Sequence, residues 1–555
     1  VSRLGVWTTA LAVGFLVGWP LAYGVLAHGP EILIRCLTGD SYHYLAIARK
    51  AVEHGIYTYD GVTTTNGFHP LWQYTLRAVF EALSLRSHES QAVAAMTLAG
   101  AAGTIGAMLA SAAIVRMTGS RFLGLLVVPG AYYLAVGVHV RNLSIWSAFD
   151  GMESAFSLLF GGLLLHVVSV ALRTPDRPPT LVSVCRAMGS VLPFLVLSRL
   201  DDVFILPALC LAALLVDAPL RERLRAAVWI GAPTSIAILV YLAYNAATVG
   251  SAMPLSGGTK AGFVGHVAAY LTAAVHFAPV LDLKAALSGE APNGAQIFAS
   301  SFRFVEMVYP AVVGALAAVI VVRHGRLRRD AFLLFGLGAY LVLKTGFNFV
   351  NVHPWHQSSW YYVFAALCVS FLAAVGLGGW WSSLTGASIV RRGVAVLYVA
   401  VAMLASSQFY AGFAYPGAEG GVSLLWARKD ELRRVLIDRG VTGILNVDDG
   451  ITAFLLDFPN LHGFGFATDV AAQSAVREGT ALSLAYARGI NAMTGYSYLR
   501  SERAPTSEAE IREYLKGNLA HAPTRADLDR FEFTLAYYDP VLKLPIVKFE
   551  PRQGR

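Results

Sequence analysis

Long apolar stretches recur along this chain, separated by short polar segments. Helices are predicted over about 5–27, 92–115, 122–140, 154–172, 187–198, 203–217, 226–246, 304–323, 331–348, 360–379 and 393–412. Most of them approach the ~20 residues that a helix needs to cross a hydrocarbon core of about 30 Å. In that core every backbone polar group needs an internal partner, so a helical bundle is the default. The first stretch, Gly5 to Leu26, is too long for a signal-peptide core and lacks a small-residue cleavage site. It is expected to remain as a membrane helix. The pair at 187–217 is different, with two short halves around Arg199-Leu200-Asp201-Asp202. That pattern predicts a hairpin with a charged tip. The tip either contains an Arg199–Asp201 or Arg199–Asp202 pair or faces a wet cavity.

The polar connections carry an orientation signal. Basic residues gather from Arg116 to Arg121, Arg173 to Arg186, Arg221 to Arg225, Arg323 to Arg329 and at Arg391-Arg392. With these in the cytoplasm, about 11 membrane segments alternate from a cytoplasmic N-terminus to an outer C-terminus. The outer segments are then about 28–91, 141–153, 247–303 and 349–359. Beyond residue 412 the pattern changes. Residues 426–440 are charged and amphipathic, Val441 to Val447 reads as a strand, and Asp448-Asp449-Gly450 as a turn. Leu544 to Phe549 reads as a further strand, which Pro545 confines to an edge or to a strand start. The expected fold class is an α-helical polytopic membrane protein: a transmembrane domain over 1–412 and a small extracytoplasmic α/β domain over 413–555.

Composition supports the membrane reading. Of 555 residues, 56% are hydrophobic and only 14% charged, against roughly 25% charged in soluble domains. The net charge of +8 comes from arginines between apolar runs, so it signals orientation and not nucleic acid. Cys36, Cys185, Cys210 and Cys368 show no CxxC spacing, which implies neither a metal site nor a disulfide framework.

The unusual polar residues fall in the predicted outer segments. After the first apolar stretch comes Thr38-Gly39-Asp40-Ser41-Tyr42-His43-Tyr44. Tyr44, Leu45, Ala48 and Val52 have helical spacing, and Gly55 marks an end, so a helix is predicted from Ser41 to His54 with Asp40 as its cap. A carboxylate there could also take a proton from a hydroxyl. Thr65-Asn66-Gly67-Phe68-His69-Pro70-Leu71-Trp72 predicts a turn, then a helix start at the proline, with Trp72 as an interfacial anchor. Asp150-Gly151-Met152-Glu153 leads into the fourth span, where acids favour the helix dipole. Pro254, Ser256, Gly257, Gly258 and Lys260 form a small-residue loop that could hold a phosphate, although the spacing is not that of a P-loop. His353-Pro354-Trp355-His356-Gln357-Ser358-Ser359-Trp360 is dense in aromatics, and two histidines alone are weak evidence for a metal.

At Asp40 to Tyr44 and Thr65 to Trp72, the chain resembles the opening of bacterial membrane glycosyltransferases of the GT-C superfamily, in the polyprenyl-phosphate-sugar-dependent class. Asp150 to Glu153, Ser198 to Asp201 and Pro254 to Lys260 resemble later blocks of an uncharacterised branch, so the likeness covers about 1–380. Arabinofuranosyltransferases of actinobacteria belong to another branch, and the Ala- and Arg-rich composition would suit such a source. The resemblance implies a GT-C-like fold and inverting sugar transfer at an outer site, on the plasma membrane, with Asp40 as base. Lys260 and Arg199 become candidates for the donor phosphate. Asn66, His69, Asp150, Glu153, Trp355, His356 and Trp360 become candidates for the substrate pocket. The implied partners are a polyprenyl-phosphate sugar, a glycan or lipid acceptor, and membrane lipids. Relatives often pair two acids where this chain has Gly39-Asp40, which leaves a divalent cation as an open requirement. The rivals are a lipid or sugar transporter, for which two matching sets of broken helices are expected, and a non-catalytic glycan-assembly protein.

Overall fold

The computed structural model describes residues 2–128, 148–173, 180–256, 312–317, 331–351, 359–383, 393, 421–447, 450–463, 467–495, 501–518 and 523–552. The helices are α1 (Arg3–His28), α2 (Gly39–His54), α3 (Pro70–Ala82), α4 (His88–Thr118), the single turn α5 (Arg121–Gly124), α6 (Ser154–Leu172), α7 (Leu181–Gly189), α8 (Leu192–Ser198), α9 (Ile205–Leu215), α10 (Leu220–Val249), α11 (Phe332–Asn351) and α12 (Val363–Ser383). Among the described residues, five helical stretches are long and apolar enough to cross a membrane: α1, α4, α6, Leu181–Ser198 and α10. The chain is read as a multi-pass membrane protein on that basis.

The bundle packs through small residues. Gly106 on α4 and Gly162 on α6 stand so close that a Cβ on either would strike the other helix's backbone. In lipid, where apolar burial drives little association, such backbone contact is what holds helices together. The predicted hairpin forms, but its first arm begins earlier, at Leu181, and breaks before Pro193 into α7 and α8. Proline in the first turn of α8 has no N–H to continue the preceding ladder. The second arm, α9, has 11 residues, about 16 Å of helix, so the expected span at 203–217 is too short to cross alone. Of the expected spans at 122–140 and 304–323 only parts are described, and 393–412 lies almost wholly outside the described residues.

The C-terminal part contains α13 (Gly421–Asp438), α14 (Ile451–Leu456), α15 (Val470–Glu478), α16 (Ala481–Ala487) and α17 (Glu508–Asn518). Its strands are β1 (Ile444–Asn446), β2 (Asn460–His462), β3 (Ala492–Thr494), β4 (Phe531–Asp539) and β5 (Leu544–Pro551), ordered β2-β1-β3-β5-β4. The first three are parallel, and β5 runs antiparallel to β3 and β4. Pro545 therefore lies in an interior strand, at its start: β3 pairs only with Val547 and Lys548, beyond the proline. Side chains alternate across a strand. Leu445, Met493 and Val547 enter a core of this unit alone, whereas Ile444, Ala492 and Ile546 join the core shared with the bundle. One face of the sheet is thus continuous with the membrane part.

Candidate functional site

The helix α2 runs from Gly39 to His54 and ends on Gly55 in the left-handed region, as its sequence predicts. Its cap is Thr38, not Asp40. Asp40 sits in the first turn and is exposed, which suits both the helix dipole and contact with a solute. His43 follows one turn later, with Nδ1 3.1 Å from the Tyr59 hydroxyl and its ring edge-on to His462 of β2, centroids 4.8 Å apart.

Asn66 is buried and commits its amide to the chain after α10. Its Nδ2 donates to the Ser251 and Met253 carbonyls at 3.1 and 3.3 Å, and its Oδ1 accepts from Leu255 N–H at 3.1 Å. Gln473 of α15 donates to the Leu255 carbonyl at 2.8 Å from the other side. Asn66 therefore brackets the segment 251–255, and its side-chain amide is engaged there. Asn66→Ala is expected to weaken this bracket by about 1–3 kcal/mol. Hydrogen exchange of amides 251–253 and 255 should accelerate while α2 stays protected; unchanged exchange would remove the bracket role.

A chain of buried charge lies beside this bracket. Arg199, at the hairpin tip, donates from Nη1 to Glu153 Oε1 at 2.6 Å and approaches Asp201 Oδ1 through Nε at 2.9 Å. Its guanidinium also lies over the Tyr361 ring at 4.3 Å. Lys344 of α11 reaches Asp201 Oδ2 at 2.5 Å and Asp202 Oδ1 at 3.2 Å, and Tyr340 donates to Asp202 at 2.6 Å. Side chains of Arg199, Glu153, Asp202 and Lys344 are at most 3% exposed. His69, cap of α3, accepts the Leu200 N–H on Nδ1 at 3.1 Å. That bond leaves the proton of the neutral ring on Nε2, which faces Glu153 Oε1 at 3.6 Å. The Tyr44 hydroxyl accepts the His69 backbone N–H at 3.4 Å. One carboxylate thus ties the first outer loop to the hairpin tip.

These contacts correct several expectations. Glu153 is the cap residue of α6 without a side-chain cap bond, and it serves Arg199 instead of the dipole. Arg199 is engaged by two carboxylates and a ring, contacts it would have to give up to hold a donor phosphate. Trp72 is no interfacial anchor: it is fully buried, edge-on to Phe156 at 5.0 Å. Asp150 accepts from Met152 N–H at 3.0 Å and the Ser154 hydroxyl at 3.3 Å, so it closes the turn into α6. Lys260, Trp355 and His356 lie outside the described residues, and Trp360 is placed only as part of the turn Ser359–Tyr362.

Burial, and then the Glu153 charge, push the Asp150 carboxyl up to about 8. The folded protein thus binds a proton here that the unfolded chain loses near the ordinary carboxylate pKa of about 4. The sign follows: stability falls as pH rises from about 4 to about 8, then levels off. Asp150→Asn is expected to flatten that decline and to match or exceed wild type at pH 8, measured by detergent unfolding curves at several pH values. Parallel curves for both proteins would refute it.

No protein-family model matches the sequence, and no curated protein matches it. Solved structures do. The chain is similar to ArnT from Cupriavidus metallidurans in the apo state, at 14% identity and TM-score 0.48, covering 96% of this chain and 98% of that one. It is also similar to the archaeal oligosaccharyltransferase AglB from Archaeoglobus fulgidus, determined with an inhibitory peptide and a dolichol-phosphate, at 12% identity and TM-score 0.45, covering 96% of this chain and 74% of that one. An Archaeoglobus fulgidus oligosaccharyltransferase tethered to an acceptor peptide gives 14% identity and TM-score 0.47, with 97% of this chain and 74% of that one covered. At these values the likeness concerns the general course of the chain.

The residues that sequence reading missed are informative. Lys344 had a signal: a lone lysine within an apolar run. His462 had none, and although Tyr44 and Tyr361 lay in segments already singled out, only packing gives all three their partners. Among the described residues no group of three or more potential ligands is close enough to hold a metal.

Proposed function

We propose that this chain is a membrane glycosyltransferase that moves a sugar from a polyprenyl-phosphate donor to an extracytoplasmic glycan or lipid acceptor. The observation that carries this reading is an exposed carboxylate, Asp40, on a helix clamped between the outer loop and the C-terminal sheet. The motif resemblance at Asp40 to Tyr44 and Thr65 to Trp72 supports it. Asp40 takes the proton of the acceptor hydroxyl, whose oxygen forms a bond to the anomeric carbon. The bond from that carbon to the phosphate oxygen breaks, and polyprenyl phosphate leaves with the electron pair, inverting the centre. Lys260 supplies the cation for the departing phosphate. Arg199, Glu153 and His69 act from behind, by holding the hairpin tip against the first outer loop. Trp355, Trp360 and His356 contact the sugar or the prenyl chain. The reading places the N-terminus in the cytoplasm, and residues 413–555 outside the plasma membrane.

The test is reconstitution in liposomes with labelled polyprenyl-phosphate sugars and mixed glycan and lipid acceptors. A new glycosidic bond is expected. Movement of unmodified lipid across the bilayer, with no such bond, would overturn the reading in favour of a transporter. Neither activity would favour a non-catalytic assembly role.

A further inference from the structure

The C-terminal unit grips the helix that carries Asp40, and it does so at the first turn. Gly450 N–H donates to the Gly39 carbonyl at 3.2 Å, directly before Asp40. A Cβ on Gly450 would lie 2.6 Å from the Tyr42 carbonyl carbon and 2.9 Å from His43 Cα. Gly450 has φ −74°, which any residue adopts, so glycine is needed here for space and not for conformation. Trp426 of α13 donates from its indole N–H to the Tyr42 hydroxyl at 2.8 Å. Both rings are buried and pack against Phe454 of α14, at 5.9 and 6.0 Å. At the far end of α2, Arg49 holds Asp457 by two bonds of 3.2 and 3.0 Å, and Lys50 donates to the Phe458 carbonyl at 3.1 Å. Asp40 itself stays exposed.

We infer that Gly450 and Trp426 are positioning residues that set the first turn of α2, and with it the Asp40 carboxylate, from the C-terminal unit. The inference rests on Asp40 being the base. The struck atoms are backbone, which cannot rotate away as a side chain does, so a methyl at 450 moves the turn or the strand connection. A misplacement of about 1 Å can cost on the order of 100-fold in rate. Donor binding, assigned to Lys260, is left in place.

The experiment uses the full-length protein in liposomes, comparing wild type, Gly450→Ala, Trp426→Phe, Tyr42→Phe and the double variant Trp426→Phe/Tyr42→Phe. Gly450→Ala is expected to lower kcat by ~10- to 100-fold with donor KM within about twofold. Trp426→Phe and Tyr42→Phe should each lower kcat several-fold, and the double variant no further, since they remove the same bond. Wild-type kcat in Gly450→Ala and Trp426→Phe, or a change confined to KM, would overturn the inference. If Gly450→Ala fails to fold, the Trp426–Tyr42 cycle decides alone, additivity counting against it. If wild type transfers no sugar, the glycosyltransferase reading fails separately. Hydrogen exchange at amides 39–43 then decides: faster exchange in Trp426→Phe, with the sheet still protected, supports the positioning, and unchanged exchange removes it.

Discussion

Asp40→Asn is expected to reduce sugar transfer by ~10²- to 10⁴-fold, the range that a lost general base costs. The substitution keeps the shape of the side chain and removes its capacity to take a proton. Asp40 is exposed in the first turn of a helix whose cap is Thr38, so α2 does not depend on its side chain for capping. The clamps at Gly39, Tyr42 and Arg49 also stay intact. Folding should therefore be unchanged, and the loss should appear in kcat. Product formation from labelled donor, alongside an unfolding curve for each protein, makes the measurement. Transfer at the wild-type rate would remove Asp40 from the catalytic role and leave it as a favourable acid near a helix N-terminus.

Arg199→Ala is expected to be the most destabilising substitution in the bundle, by about 3–5 kcal/mol, the cost of breaking a buried ion pair from one side. Glu153 would lose its 2.6 Å partner, and Asp201 would lose one of the two cations described at 2.9 and 2.5 Å from it, keeping Lys344. Among the described residues two permanent cations, Arg199 and Lys344, with His69 beside them, face three carboxylates, Glu153, Asp201 and Asp202, so losing Arg199 leaves the described network short of positive charge. Arg199→Lys should rescue little, because one ammonium does not reproduce the planar fork that reaches Glu153 and Asp201 together. Arg199→Met with Glu153→Met should lose less than the single alanine, since it removes an unpaired charge along with its partner. Detergent unfolding of the three variants checks this. If Arg199→Ala unfolds like wild type, the arginine is not the tie between hairpin and loop, and its release for phosphate binding becomes the better account.

Much of the architecture was legible because it follows from short-range chemistry. Apolar runs gave α1, α4, α6 and α10 to within a few residues, since lipid demands that every backbone group be satisfied along one helix. Gly55 and Pro70 marked a helix end and a helix start through their own backbone limits. The hairpin tip was legible as charge where lipid would not take it, and its Arg199–Asp201 pair was one of two expected. The errors have a common source. Trp72 and Glu153 were given local roles, interfacial anchor and dipole acid, from their own position in the chain, yet each is buried by partners distant in sequence.

The sequence by itself determined the courses of α1, α2, α4, α6 and α10, where polar residues gather, and that Asp40 opens a helix after the first span. Periodicity and turn chemistry act within a few residues, so they can be read without the fold. Only the tertiary structure decided which polar groups meet. It joined His69, Glu153, Arg199 and Lys344 from four separate segments into one buried network. It also brought Gly450 against Gly39, more than 400 residues away. Charges at that depth are tolerated only with partners, and partners come from packing; no local pattern records which distant residue will be the neighbour.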